Sequence, residues 1–419
     1  MEERTYICID LKSFYASCEC VERGLDPMTT DLVVADPARG RGAICLAVSP
    51  SLKEKGVRNR CRIFEIPKGI DYITALPRMR LYMEYSAKIY SVYLKYISKD
   101  DIHVYSIDEC FIDITDYMKI YGMSARSFAK MLLHKVQKET GIYATVGIGT
   151  NLFLAKVALD IMAKRIRSRI AYLDKKRFER QIWYHRPITD IWNVGRGIAS
   201  RLERYGVYDL HGVCLMNEST LYKEFGVNAE FLIDHAHGEE SCTIKDIKSY
   251  QSKSSSISNG QILFEDYDYD DALLVLREMV DILSLDLVDK NVLTDSISLM
   301  VGYSKDVLPP AGGTKRLGEY TNSTKKLTKY FVEYFEKTVK RGYPIRRINI
   351  GFNNLVEDNY MTLDIMGQSE DQKREHELQR SVIAIKKKYG KNAILKGMSL
   401  DKKATAQIRN KLIGGHNGE

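Results

Sequence analysis

The chain alternates between short apolar runs and longer stretches of helical period. Tyr6 to Asp10 (YICID) is apolar up to its last residue. Tyr105 to Thr115 (YSIDECFIDIT) sets apolar and β-branched residues on both sides of Asp108 and Glu109. Runs of this length and composition read as buried strands. Asp31 to Ala35 (DLVVA) and Ala43 to Val48 (AICLAV) read as two more, joined by a basic, glycine-containing turn. Apolar residues at helical spacing predict helices from Phe14 to about Val21, over Ile73 to Tyr96 and over Ser124 to Thr140, the last ended by Gly141. Thr145 to Lys164 (TVGIGTNLFLAKVALDIMAK) reads as strand, glycine turn and helix. Beyond it, Asp270 to Leu287 and Lys325 to Val339 read as helices, Val292 to Tyr303 and Ile345 to Phe352 as strands. The class is α+β. Ile244 to Ser258, rich in Lys and Ser, reads as a linker, and the chain from Val356 as a charged, partly helical tail.

Composition narrows this picture little. A length of 419 residues predicts about two to four domains. The formal net charge of +8 fits a polyanionic partner without requiring one. No stretch has the apolar length of a membrane helix, and the N-terminus has no apolar signal core. The eight cysteines are scattered with no C-x-x-C pair, as expected of reduced thiols in a cytoplasmic protein.

The candidate chemistry begins with Asp10, Asp108 and Glu109. Neighbouring side chains on a flat strand point to opposite faces, so Asp108 and Glu109 share a site only if the chain bends there. Two adjacent strands would then bring three carboxylates together, an arrangement that repels itself unless a cation intervenes. Hard divalent cations take such oxygen ligands together with substrate phosphates. Taken alone, an Asp-Glu pair is far more often an ordinary hairpin turn, and the rest of the chain has to overturn that reading.

Tyr105 to Thr115, taken with Ile9 to Glu19 (IDLKSFYASCE), resembles the paired signature of the Y-family translesion DNA polymerases, UmuC-like branch. The match extends in order to about Phe352. It implies a right-hand polymerase with a ferredoxin-like palm (1–30 and 75–175), small fingers (31–74), a thumb (176–243), an α/β little finger (244–355) and the tail (356–419). It implies error-prone, template-directed synthesis across damaged DNA without a proofreading exonuclease. Primer–template DNA and dNTPs are the implied substrates. Asp10, Asp108 and Glu109, with the Leu11 carbonyl, would hold two Mg²⁺ ions, Mn²⁺ serving as a substitute. Phe14 and Tyr15 fall at the nucleotide site, with Tyr15 at the sugar-excluding position. Lys53, in Ser49 to Pro67, and Lys164 would grip the triphosphate, although the family spaces Lys156 and Lys164 slightly closer. Pro187 to Val207 resembles a helix-hairpin-helix, so Gly195, Arg196 and Gly197 would meet DNA phosphate, as would Lys253. Thr362 to Met366 resembles a sliding-clamp peptide but lacks its glutamine and terminal phenylalanine. A nucleotide cyclase would also place two acids on a palm-like sheet, and a DNA-binding accessory protein would share the basic surface. The hairpin-like thumb and the aromatic at Tyr15 speak against the first, the paired acids against the second.

Overall fold

The computed structural model describes residues 4–252, 255–305, 307–358 and 370–418. The chain forms two units, Met1–Tyr250 and Gln251–Gly418.

The strands of the first unit are β1 (Tyr6–Leu11), β2 (Leu32–Val34), β3 (Ala47–Val48), β4 (Ile73–Ala75), β5 (Ile102–Val104), β6 (Glu109–Asp113), β7 (Ala144–Gly149) and β8 (Ile170–Leu173). The main sheet has the order β5-β6-β1-β7-β8, antiparallel except for the β7–β8 pair. Its centre is β1, whose apolar run is buried on both faces: Tyr6, Cys8 and Phe111 pack with Leu152, Ala155 and Leu159, while Ile7 and Ile9 are buried on the opposite side. The helices Met79–Leu94 and Ala125–Thr140 pack together, the second also against β7. Ser124 caps the latter, and Gly141 ends it at φ +73°, a backbone conformation that glycine adopts without strain.

A smaller sheet, β3-β2-β4, lies over residues 32–75. It revises two expectations. Ile73–Ala75 is a strand parallel to β2, so the helix predicted from Ile73 begins only at Met79. Pro77 explains the break, because it holds the residue before it extended. Of the run Ala43 to Val48, only Ala47–Val48 pairs with β2; Ile44 bridges to Arg62 instead.

The linker expected from Ile244 begins as a helix, Ile244–Ser249. Thr243 and Asp246 form a reciprocal capping box, and Ile244 and Ile247 pack onto the Tyr6–Phe111 face of the main sheet. One turn of apolar residues outweighs the lysines because the lysines remain in solvent.

The second unit is built on a sheet of β9 (Ile257–Tyr267), β10 (Val292–Tyr303), β11 (Ala311–Thr321) and β12 (Ile345–Asn353) in the order β11-β10-β12-β9, antiparallel throughout. The helices Tyr269–Asp289 and Thr324–Thr338 share one apolar core with it. Sequence reading missed β9 and β11, whose residues are mostly half-buried or exposed, with Leu263 and Tyr267 of β9 and Thr321 of β11 buried. The expected tail is also revised where it is described. Val356–Glu357 pairs with β10, and the helix Glu370–Tyr389 packs against Tyr269–Asp289. The backbone N–H groups of Thr405 and Ala406 donate to the buried carboxylate of Glu278 at 2.8 and 3.1 Å. A buried carboxylate needs such donors, and this segment supplies them. Among the described residues no helix is long and apolar enough to cross a membrane.

Candidate active site

Asp10 stands opposite Glu109 in the β1–β6 register, as Cys8 does Phe111 and Tyr6 does Asp113. Directly opposed residues have Cβ atoms about 4.5–5.5 Å apart, so Asp10 and Glu109 are neighbours on one face at the strand ends. The bend required for Asp108 is present. The N–H groups of Tyr105 and Ser106 both donate to the Glu109 carbonyl at 3.0 Å. Ser106 Oγ donates to Asp108 Oδ1 at 2.8 Å and accepts from the Glu109 N–H at 3.0 Å. The Leu11 N–H donates to the Asp108 carbonyl at 2.9 Å, tying this bend to the end of β1.

The same sheet face carries Gly147 and Gly149, opposite Cys8 and Tyr6. A Cβ on Gly147 would lie 2.1 Å from the Ala155 carbonyl oxygen, and one on Gly149 would lie 2.2 Å from the Ala155 nitrogen. The two glycines therefore let the helix Leu152–Val157, capped by Asn151, rest directly on the backbone of β7. The helical path then widens into a π turn, Ala158–Met162, and ends in Ala163–Arg165. Lys164 stands at the end of this path, beside the acids.

Two lysines reach the carboxylates from this path. Lys156, buried, places Nζ 2.6 Å from Glu109 Oε1 and 3.1 Å from Asp160 Oδ2. Lys164 Nζ lies 2.7 Å from Asp10 Oδ2, 2.8 Å from Asp160 Oδ1 and 3.8 Å from Glu109 Oε1. Burial pushes the Asp10 carboxyl up to about 7; Lys164 opposes the shift and Glu109 adds to it. Burial works against the charge on Lys164, but Asp10 and Asp160 more than offset it, and its pKa is raised. Lys53 comes from the short helix Pro50–Glu54 and donates to Ser13 Oγ at 2.8 Å. Burial lowers its pKa, with Asp10 acting in the opposite sense.

Among the described residues no three His, Cys, Asp or Glu side chains form a ready ligand cage. Asp10 and Glu109 are engaged by lysines, and Asp108 by Ser106. The donor set is nonetheless that of a hard cation: adjacent carboxylates and a strand-end carbonyl. Magnesium typically takes only one or two protein carboxylates and completes its shell with water and phosphate.

Tyr15 and Phe14 separate at the helix start. Phe14 is 3% exposed, and its side chain belongs to the core. Tyr15 lies about 100° further round the helix and is half-buried. Its ring stacks on Tyr82 at 4.4 Å and 14°. Tyr82 donates to Glu19 Oε1 at 2.7 Å, and Glu19 is fully buried. Gly195, Arg196 and Gly197 are exposed at the start of the helix Arg196–Glu203, and Cβ atoms on either glycine would meet open space. The first helix expected before them is a single turn, Ile188–Asp190. Lys253 and Thr362 to Met366 lie outside the described residues. Sequence reading named Lys156 without giving it a role and overlooked Asp160 and Glu19. The 156–160–164 spacing of opposite charges was a legible signal; for Glu19 only Arg23, four residues on, was legible, because its other partners Arg78 and Tyr82 are remote in sequence.

The chain is similar to known proteins along nearly its whole length. The model of the impB/mucB/samB family matches residues 9–160, and that of the family's C-terminal domain matches residues 254–365. A protein of Bacillus subtilis (strain 168) that carries the name UV-damage repair protein UvrX is 30% identical over 418 residues, 99% of this chain and 97% of that one. The DNA polymerase IV 2 of the same strain is 30% identical over 421 residues, 99% of each chain. The solved structure of a Y-family DNA polymerase chimera superposes with a TM-score of 0.66 at 20% identity, covering 84% of this chain and 99% of that one. With full-length relatives, both family models and the shared fold in agreement, the chain belongs to the impB/mucB/samB family, the Y-family translesion DNA polymerases.

Proposed function

We propose that this DNA-directed DNA polymerase extends primers across damaged template at the end of β1, with Asp10, Asp108 and Glu109 as its catalytic carboxylates. The observation that carries this reading is the direct opposition of Asp10 and Glu109, with Asp108 in the adjoining bend and three lysines around them. The family depends on divalent metal in general. Here Asp10, Asp108, Glu109 and the Leu11 carbonyl would hold Mg²⁺, or Mn²⁺ in its place. Bound there, a pair of ions supplies charge neutralisation at the α-phosphate and a lower pKa for the primer 3′-hydroxyl. Lys53 and Lys164 bind the triphosphate. Arg196 and the glycines beside it approach primer–template phosphate; since no neighbour in this chain crowds those glycines, close packing within the protein does not call for them. Residues 1–30 and 75–175 act as palm, 31–74 as fingers, 176–243 as thumb and 244–355 as little finger. A cytoplasmic location goes with this activity.

Primer extension on a template with one abasic site, beside an undamaged control, tests the reading. Extension past the lesion with Mg²⁺ and all four dNTPs is the expected result. No extension on either template, with the sliding clamp added, would refute it.

Tyr15, held face to face on Tyr82, closes the sugar side of the nucleotide site. Tyr15→Ala is expected to raise ribonucleotide incorporation about a hundredfold relative to deoxynucleotide, with little loss of dNTP turnover. The ratio of kcat/KM for matched dNTP and rNTP measures this, and an unchanged ratio removes Tyr15 from that role.

A further inference from the structure

Carboxylates and ammonium groups alternate through the site: Glu109, Lys156, Asp160, Lys164, Asp10. Asp160 gives one oxygen to each lysine. The two lysines differ in freedom. The Lys156 side chain is 7% exposed and lies over the Tyr105 ring at 5.7 Å. The Lys164 side chain is 37% exposed and stands at the end of the helical path. Its ammonium is also the one that reaches both Asp10 and Glu109.

A divalent cation held by those two carboxylates and an ammonium 2.7 Å from one of them carry like charge at close range and repel strongly. One must give way. Among the described residues, Asp160 is the carboxylate paired with Lys164 that is not itself a proposed metal ligand. We infer that Lys164 is a resident cation that neutralises Asp10 and Glu109 until metal arrives, and that Asp160 is the positioning residue that keeps its ammonium when Asp10 is taken over. The inference rests on the reading of Asp10 and Glu109 as metal ligands. It gives Lys164 two successive partners, Asp10 and then the triphosphate, with Asp160 as the pivot between them.

The test is Mn²⁺ binding to the full, nucleotide-free chain, read by the electron paramagnetic resonance of free Mn²⁺. Lys164→Met is expected to tighten binding about tenfold, because no ammonium has to be displaced. Asp160→Asn is expected to weaken it about fivefold, and Asp160→Glu to restore it. The decisive variant is the double one. If Asp160 acts through Lys164, Asp160→Asn has no effect on Mn²⁺ affinity in the Lys164→Met background. A simple through-space effect of the Asp160 charge would persist there and would overturn the inference, as would unchanged or weaker binding in Lys164→Met. Lys164→Gln repeats the test with a polar side chain, and thermal melts confirm that each variant is folded. Asp10→Asn separates the two levels. Loss of Mn²⁺ binding in Asp10→Asn upholds the metal site whatever Lys164 does, whereas wild-type affinity in Asp10→Asn refutes both.

Discussion

Primer extension by the Asp108→Ala protein is expected to fall by about three orders of magnitude on damaged and undamaged templates alike. Its melting temperature should stay within about 2 °C of the parent. The two halves of this expectation have separate causes. Asp108 lies in a bend, half-exposed, and its carboxylate accepts a hydrogen bond from Ser106 Oγ. Its backbone carbonyl, which receives the Leu11 N–H, is unchanged by the substitution. Little stability is therefore lost. The charge it contributes beside Asp10 and Glu109 is lost entirely, and no neighbouring acid replaces it. Single-turnover extension at saturating dNTP, with circular dichroism as the fold control, measures both halves. Activity within tenfold of the parent in a polymerase-free preparation would mean that the catalytic carboxylates lie elsewhere.

Glu19→Ala is expected to destabilise the first unit by about 3 kcal/mol. Glu19 is fully buried and accepts from Arg78 Nε and Nη2 at 3.0 and 2.7 Å, from Tyr82 at 2.7 Å and from Arg23. Removing it leaves the Tyr82 hydroxyl buried without its acceptor and two guanidinium groups without their counter-charge. Burial pushes the Glu19 pKa up, but the hydrogen bonds from Arg78, Arg23 and Tyr82 more than offset that, and it lies below the ordinary value. A depressed carboxylate stabilises the fold above its unfolded pKa, and the contribution is lost as pH falls through the folded one. The gap in stability between the parent and Glu19→Ala should therefore be full at pH 7 and shrink below about pH 4.5. Urea unfolding at several pH values measures the gap; a difference under about 1 kcal/mol at pH 7 would contradict it. The same change loosens the ring on which Tyr15 stacks, so sugar discrimination should weaken along with stability.

The α+β class, most of the strands and helices, and the acids at the site were legible because each depends on local pattern. YICID and YSIDECFIDIT are apolar enough to be strands in any context that buries them. Asp108 and Glu109 are adjacent in sequence, so a bend is the condition for them to share a site. Lys164 was legible only through family resemblance, since its contact with Asp10 joins residues far apart in the chain. Adjacent aromatics look alike in sequence, whereas the helix turns the Phe14 ring into the core and leaves Tyr15 half-buried. β9 and β11 were missed because the apolar residues of β9 do not alternate, those of β11 are few, and the pairing partners are distant in sequence.

By itself the sequence determined which segments are strands and helices where hydrophobic period is strong, and which residue types stand at the ends of β1 and β6. Period and composition are local properties, and burial rewards them wherever the segment packs. Only the tertiary structure decided that Gly147 and Gly149 seat the lysine helix on bare backbone, that Asp160 divides itself between Lys156 and Lys164, and that Glu19 supports Tyr15 through Tyr82. These depend on how closely backbones approach and on which charges are buried together. Both are settled by packing between segments far apart in the chain, where no local pattern records them.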